Sequence, residues 1–317
     1  MARIVTISTI GMRSERNRKP SSYNALLQER IHHLQREISQ VLPDSPDLIV
    51  LPEFCDSPYR YGYTAGEELE YYRVRDDAIL DFLGGIAREN SCYITYPAFA
   101  ETEGIRTNST RVIGRTGTPI GTYDKNYLTL GEMQDYGLQC GCDAPLIPCD
   151  FGRVGCITCF DLHFNDLRLK YAAQKPDLLL FSSMYHGGLM QSYWAYSCRA
   201  HLVGAIWDEA STIVSPVGKI IAASTNYFNF VTARVNLDCA VAHLDFNWEP
   251  LNSMKKKYGA GVTIDDPGHL AAVLITNEME DCTMDDLVKE FGIELLDEYL
   301  ERAVTLRQGK IAKERCV

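Results

Sequence analysis

The sequence predicts an α/β sandwich. Short apolar, β-branched runs alternate with stretches whose apolar residues recur at helical spacing, the pattern of strands joined and covered by helices. Several runs are apolar at every position, as central strands are when both faces of a parallel sheet are covered. With 317 residues, 46% of them hydrophobic, the chain has material for one large α/β domain or two modest ones.

Ile4–Ile10 reads as the first strand. Residues 23–42 then place Leu26, Leu27, Ile31, Leu34 and Ile38 near helical spacing, and Pro43 and Pro46 stop that helix because proline has no N–H to continue it. The run 46–53, Pro-Asp-Leu-Ile-Val-Leu-Pro-Glu, reads as a central strand, and 176–183 repeats its Pro-Asp-Leu opening after a helix over 164–174. Between them 93–99, 109–113, 119–123 and 153–159 read as strands, with helices at 76–89 and 193–202. Further strands are expected at 210–214, 217–222 and 230–237. Composition shifts near Asp245, which divides a main domain of residues 1–245 from an extension of residues 246–317. Residues 247–268 read there as connecting structure and 283–306 as one acidic amphipathic helix, covering its own domain or a second subunit.

The formal net charge of -11 argues against a nucleic-acid surface, which needs a basic patch or stripe. Lys255, Lys256 and Lys257, with Arg13, Arg16, Arg18 and Lys19, are too few and too scattered to reverse that. No apolar stretch approaches the roughly 20 residues that span a bilayer, and the N-terminal run reads as a strand, not a signal peptide. Eleven cysteines, an odd number in a large chain, fit a reducing cytosol better than a disulfide framework. The expectation is a cytoplasmic protein with a small-molecule substrate and neither nucleic-acid nor membrane partners.

Active groups in open α/β sheets gather just past the carboxyl ends of strands. Glu53, Lys125 and Cys159 each close such a run. If those strands are neighbours, a carboxylate, an ammonium and a thiol meet in one crevice. A free thiol is only a few per cent thiolate at neutral pH and needs a base or a positive charge beside it. Glu53 can take the proton and pass it to a leaving nitrogen, while Lys125 and a backbone N–H near Cys159 stabilise the oxyanion. His163, His186 and His201 lie near enough to suggest a Cys–His pair, and none is placed to compel it. Cys92, Cys149 and Cys156 read as small core residues. Cys140, Cys142, Cys156 and Cys159 do not read as a four-thiolate metal site, because the last two sit on a strand among apolar neighbours.

The trio and its flanks resemble the nitrilase, or carbon–nitrogen hydrolase, superfamily. The resemblance is carried by Leu51-Pro52-Glu53, Tyr123-Asp124-Lys125 and the run from Gly152 to Asp161, in that order, with Arg199-Ala200 and Ser215-Pro216-Val217-Gly218-Lys219 as further landmarks. It implies a four-layer α-β-β-α sandwich, a Glu-Lys-Cys triad, no metal or organic cofactor, and a homodimer or larger homo-oligomer. It also implies that Glu132 is a second glutamate orienting substrate and water. His163 stands where family members often have arginine, and imidazole binds an anion less well than a guanidinium, which lowers the case for an N-carbamoyl amino acid. His163, Tyr185 and His186 are the candidate substrate-binding residues. Tyr59, Tyr61, Tyr63, Tyr136 and Trp207 either line the pocket or pack between layers. Hydrolysis of a small-molecule amide is the expected reaction. An N-carbamoyl hydrolase or a nitrilase would use the same trio, an amine intercepting the thioester would make an acyltransferase, and a non-catalytic scaffold is the remaining class.

Overall fold

The computed structural model describes residues 1–13, 18–58 and 61–314, so Arg16 and Tyr59 lie outside the described residues. Two compact units divide the chain: Val5–Val235, and Met1–Ile4 with the chain from Asn236 onward. In the larger unit β1 (Ile4–Ile10), β2 (Leu48–Val50), β3 (Tyr93–Thr102), β4 (Ile105–Ile113) and β5 (Pro119–Asp124) form one sheet. β6 (Leu146–Cys149), β7 (Gly152–Thr158), β8 (Leu178–Ser183), β9 (His201–Ile206), β10 (Thr212–Val214) and β11 (Ile220–Ala223) form a second. β12 (Phe230–Asn236) returns to the first sheet beside β1.

Both sheets are mixed in the same way. β1, β2 and β3 are parallel and β4 and β5 add antiparallel. β7, β8 and β9 are parallel, with β6 antiparallel at one edge and β10 and β11 at the other. The repeated Pro-Asp-Leu marks equivalent places. Asp47 accepts from the Thr6 N–H at 3.0 Å and Asp177 from the Arg153 N–H at 2.8 Å, each carboxylate fastening the start of the neighbouring parallel strand. Pro119 opens edge strand β5 and Pro148 lies in edge strand β6, both tolerant positions, while Pro97 lies in β3 beyond the two residues that pair with β2.

The sheets stack face to face. Thr9 Oγ1 donates to the Gly204 carbonyl and Ser182 Oγ to the Leu51 carbonyl, both at 2.8 Å, so the inner polar groups are paired across the layers. Helices α1 (Tyr23–Ser39), α2 (Ala65–Arg75) and α3 (Ala78–Glu89) accompany the first sheet, α4 (Leu130–Gln134) follows β5, and α5 (Asn165–Gln174) and α6 (Leu189–Cys198) cover the second. Leu26, Leu34 and Ile38 of α1 and Leu83 of α3 are wholly buried against Ile49 and Ile94. The result is the four-layer α-β-β-α sandwich.

Three expectations about elements are corrected. The helix expected over 193–202 is α6, starting earlier and ending at Cys198, where Arg199 takes a left-handed φ of 54° and Leu202 belongs to buried strand β9. Its apolar run fits either period. In the smaller unit, the connecting structure expected near Asn247 contains helix α7 (Trp248–Tyr258), whose Pro250 stands in the first turn where no N–H is needed. α7 buries Leu251 and Met254 beside a three-stranded antiparallel sheet of β13 (Cys239–His243), β15 (Ala272–Asn277) and β14 (Val262–Asp265). The single helix expected over 283–306 is two, α8 (Met284–Phe291) and α9 (Leu296–Glu314), because Gly292 supplies a left-handed C-terminal cap at φ 62°.

A buried ion pair anchors the larger unit next to the cavity described below. Arg75 Nη1 meets Asp56 Oδ2 at 2.7 Å, the Tyr96 hydroxyl donates to the same oxygen at 2.6 Å, and Arg75 Nη2 donates to the Phe99 carbonyl at 2.9 Å. Removing one member leaves the other charge buried and unpaired. Asp56→Ala is therefore expected to lower stability by about 3–5 kcal/mol, read as a fall in the urea midpoint; a midpoint unchanged from wild type would show that Arg75 finds solvent in the folded chain.

Candidate active site

Glu53, Lys125 and Cys159 follow the carboxyl ends of β2, β5 and β7. Glu53 and Lys125 are each 1% exposed. Lys125 Nζ lies 2.8 Å from Glu53 Oε1 and 2.9 Å from both carboxylate oxygens of Glu132. Burial works against the ammonium, yet the facing Glu53 and Glu132 carboxylates hold its pKa well above the ordinary lysine value. Glu132 is fixed by a capping box on α4: its Oε2 accepts from the Thr129 N–H at 2.7 Å while its own N–H donates to Thr129 Oγ1. Burial raises the Glu132 carboxyl, but Lys125 and the Thr129 N–H outweigh it and the pKa lies below the ordinary value.

Asn108, on β4, was not singled out in the sequence. Its Nδ2 donates to Glu53 Oε1 and Glu132 Oε1, each at 2.8 Å, so one amide ties the two carboxylates together. The only signal is that Asn108, Ser109 and Thr110 are three consecutive polar residues in a strand, and all three are buried, a run that must find partners inside.

Cys159 opens a 3-10 turn, Cys159–His163, with φ 48°, a sharp bend rare for a residue bearing a Cβ. Asp161 holds that turn. Its carboxylate accepts from the Thr158 N–H at 3.0 Å, the Tyr123 hydroxyl at 2.6 Å and the Tyr127 N–H at 2.8 Å. Burial lifts the Asp161 carboxyl to about 6 against those hydrogen bonds. Burial, and then the Glu53 charge, push the Cys159 thiol up to about 12, with Lys125 opposing. The resting sulfur therefore carries its proton at neutral pH.

A cavity of ≈ 460 Å³ opens over these groups, with Glu53, Lys125, Glu132 and Cys159 on its wall. Phe54, Tyr72, Phe99, Tyr136 and Trp207 give it an aromatic lining. Trp207 also donates from Nε1 to the Glu53 carbonyl at 2.6 Å, which fixes the backbone of the carboxylate. Of the other candidates, His163 and Tyr185 stack on each other, ring centres 5.5 Å apart, while His186 Nδ1 accepts from the Gly188 N–H. These three are not on the cavity wall; from the loop of Tyr185 and His186 it is Met184 that reaches it. The Tyr185 hydroxyl is buried without a hydrogen-bond partner, and burial, then the Cys159 and Glu53 charges, raise its pKa. Tyr61 bonds Glu29 and Tyr63 lies under Lys19, so neither lines the cavity. Among the described residues no group of three or more His, Cys, Asp or Glu is placed to hold a metal ion.

Two stacked mixed sheets with a thiol, a carboxylate and a lysine at strand ends define a class, the cysteine hydrolases built on an α-β-β-α sandwich. Residues 6–240 match the carbon-nitrogen hydrolase model, and the chain belongs to that family, whose members hydrolyse a carbon–nitrogen bond through a cysteine nucleophile. Curated relatives include a chloroplastic omega-amidase of Arabidopsis thaliana, 23% identical over 65% of this chain and 63% of that protein. Another is a pantetheinase of Sus scrofa, 26% identical over 54% of this chain and 34% of that protein. The chain thus covers less than two thirds of the length of either. Similar solved structures include the C. elegans NitFhit protein, with TM-score 0.64 and 16% identity over 81% of this chain and 64% of that one. The amidase from Nesterenkonia sp. AN1, with the acetamide moiety of fluoroacetamide added at its active-site cysteine, superposes with TM-score 0.62 and 16% identity over 74% and 90%. At such identity the likeness to solved structures is one of fold.

A further carboxylate stands in the cavity. Glu68 of α2 is 2% exposed and its Oε2 accepts from the Tyr136 hydroxyl at 3.0 Å. Burial raises its pKa from 4.5 to about 7, with Tyr136 opposing. Between those values the folded chain binds a proton that the unfolded chain has lost, so stability falls as pH rises from 4.5 to 7 and levels off above. Glu68→Gln is expected to gain stability over wild type on the order of 2–3 kcal/mol at pH 8 and little at pH 4.5. Urea unfolding at both pH values measures it, and an equal gain at both would mean that Glu68 is solvated.

Proposed function

We propose that the chain hydrolyses a small-molecule amide, with Cys159 as nucleophile, Glu53 as base and acid, Lys125 as electrostatic partner and Glu132 as orienting carboxylate. The observation that carries this is the buried cluster in which one lysine and one asparagine join two glutamates beside the sulfur. The omega-amidase activity for which one of the relatives is named favours an amide over a nitrile or a ureido group.

The chemistry follows from the protonation states. With its pKa near 12, Cys159 is a thiol at rest, so its proton leaves as the sulfur–carbon bond forms. Glu53 receives it; Oε1 is engaged by Lys125 and Asn108 while Oε2 has no partner, which leaves Oε2 as the free acceptor. The tetrahedral oxygen gathers negative charge near Lys125, and an oxyanion donor of this kind is worth about 3 kcal/mol. Glu53 returns the proton to the amide nitrogen, the carbon–nitrogen bond breaks, and ammonia or an amine departs. The remaining thioester is opened by water, whose proton goes to Glu53 and then to the sulfur, releasing the acid. Glu132 keeps Lys125 charged and in place through both halves.

A homodimer or larger assembly suits Leu169 on α5 with Leu189 and Tyr193 on α6, which are exposed apolar side chains. A reducing compartment suits the ten described cysteines, all free thiols.

Ammonia release from a panel of amides, N-carbamoyl compounds and nitriles tests the reaction, with Cys159→Ala alongside. The amides are expected to give signal, and the Cys159→Ala protein, folded by circular dichroism, none; turnover surviving in that protein would falsify the assignment. Asn108→Ala is expected to lower kcat about 10- to 100-fold, the loss of hydrogen bonds to two charged groups. A kcat within twofold of wild type would show that Lys125 alone holds the two carboxylates.

A further inference from the structure

We propose that Glu68 and the aromatic wall around it form a recognition site for an ammonium or similar cationic tail, so that the preferred substrate is an amide bearing an amine. This rests on the amide reading above and names its substrate class.

Among the described residues the cavity wall carries four carboxylates, Glu53, Glu68, Glu132 and Asp135, and one cation, Lys125. The charge of that ammonium is already offset in the free protein, because it contacts three carboxylate oxygens of Glu53 and Glu132, so it does not make the wall cationic for a substrate carboxylate. A carboxylate-bearing substrate would bring another negative charge into a wall that already has an excess, and like charges in a low-dielectric site repel strongly.

Among the described residues, Glu68 is the one buried carboxylate of these without a cationic partner. Glu53 and Glu132 share Lys125, and Asp135 is exposed. Glu68 is almost wholly buried, its neighbour Glu67 takes the capping role at Thr64, and its single hydrogen bond comes from Tyr136 to Oε2. Oε1 makes no hydrogen bond among the described residues and is not a sealed atom, so it is the oxygen open to the cavity. Burying a carboxyl with one neutral donor is costly unless a cation completes it. The raised pKa of Glu68 is the mark of that missing partner.

The surrounding rings suit the same ligand. Tyr72 and Phe99 stack with centres 4.4 Å apart, and Tyr136 and Trp207 add further faces. Aromatic faces attract ammonium groups through the ring quadrupole, and a carboxylate beside them supplies the charge. A cavity of ≈ 460 Å³ holds far more than the amide group, and lies in the range of about 300–1,000 Å³ that small-molecule sites occupy. It leaves room for an apolar spacer between the scissile amide at Cys159 and a charged tail at Glu68.

The test compares 4-(aminomethyl)phenylacetamide with its neutral isostere 4-ethylphenylacetamide and with the 4-(carboxymethyl) analogue. Binding is measured by calorimetry in the full-length Cys159→Ala protein, and ammonia release in the protein with its thiol. The amine is expected to bind at least tenfold tighter than the ethyl compound, the acid at least tenfold weaker, and kcat/KM to follow that order. Adding Glu68→Gln, which preserves shape and the Tyr136 contact, is expected to cut the amine-over-ethyl ratio at least tenfold in both assays. Ethyl binding as tight as the amine, no binding of any of the three, or a ratio that survives Glu68→Gln overturns the proposal. Preferential, Glu68-dependent binding of the amine without ammonia release would uphold the cation site and sink the amide reading. Ammonia released equally from all three would do the reverse.

Discussion

The ammonium of Lys125 is brought to a place where it is 1% exposed, and nearly everything around the candidate site serves to make that tolerable. An unpaired ammonium in such surroundings would lose its proton. Here it faces Glu53 from the end of β2 and Glu132 from α4, with Asn108 of β4 tying the two carboxylates from the other side. Two negative charges this close would repel; a lysine between them reverses the sign of the interaction. The cluster is therefore stable only as a whole. It also requires the sheet order in which β2, β3, β4 and β5 are successive neighbours, since no shorter stretch of chain brings those side chains together.

The sulfur is held by a separate device in the other sheet. Cys159 adopts a φ that a side chain disfavours, and so does Phe54, immediately after Glu53. Both lie on the cavity wall. The bend at Cys159 persists because Asp161 is fixed by two backbone N–H groups and the Tyr123 hydroxyl, and Tyr123 belongs to the first sheet, two residues before Lys125. The same tyrosine thus couples the turn at Cys159 to the strand that delivers the lysine. Ser182 and Trp207 act likewise from the second sheet, bonding the carbonyls of Leu51 and Glu53. Tyr123, Ser182 and Trp207 thus tie the two sheets together around the cavity.

Much of this was legible in the sequence, for physical reasons that can be named. A run apolar on both faces followed by a charged residue marks a central strand meeting a crevice, which is how Glu53 stands out as a candidate. The Pro-Asp-Leu echo was a true structural repeat, because each aspartate performs the same backbone bond in its own sheet. Leu202 was misplaced since a short apolar run fits a buried helix and a buried strand equally well. Asn108 was missed because its meaning depends on two partners 55 and 24 residues away. Glu68 was missed for the opposite reason: Glu67 and Glu68 are the same residue type in the same helical turn, and only the packing of α2 sends one to the cap and the other inward.

Buried polar atoms without partners are few in a folded chain, and where they fall is informative. Among the described residues Glu53 Oε2, Asn108 Oδ1 and the Tyr185 hydroxyl are such atoms, and they belong to the site or stand in the electrostatic reach of Cys159. Each such atom costs about 1–3 kcal/mol that a purely structural core would recover by pairing it. Of the three residues Glu53 lies on the cavity wall, so the free protein keeps an unpaired acceptor among the groups that line it. In the proposed reaction Glu53 Oε2 is filled first by the thiol proton and then by a hydrogen of the leaving nitrogen. The unpaired oxygen is thus the part of the glutamate that acts, and the paired one keeps it in place.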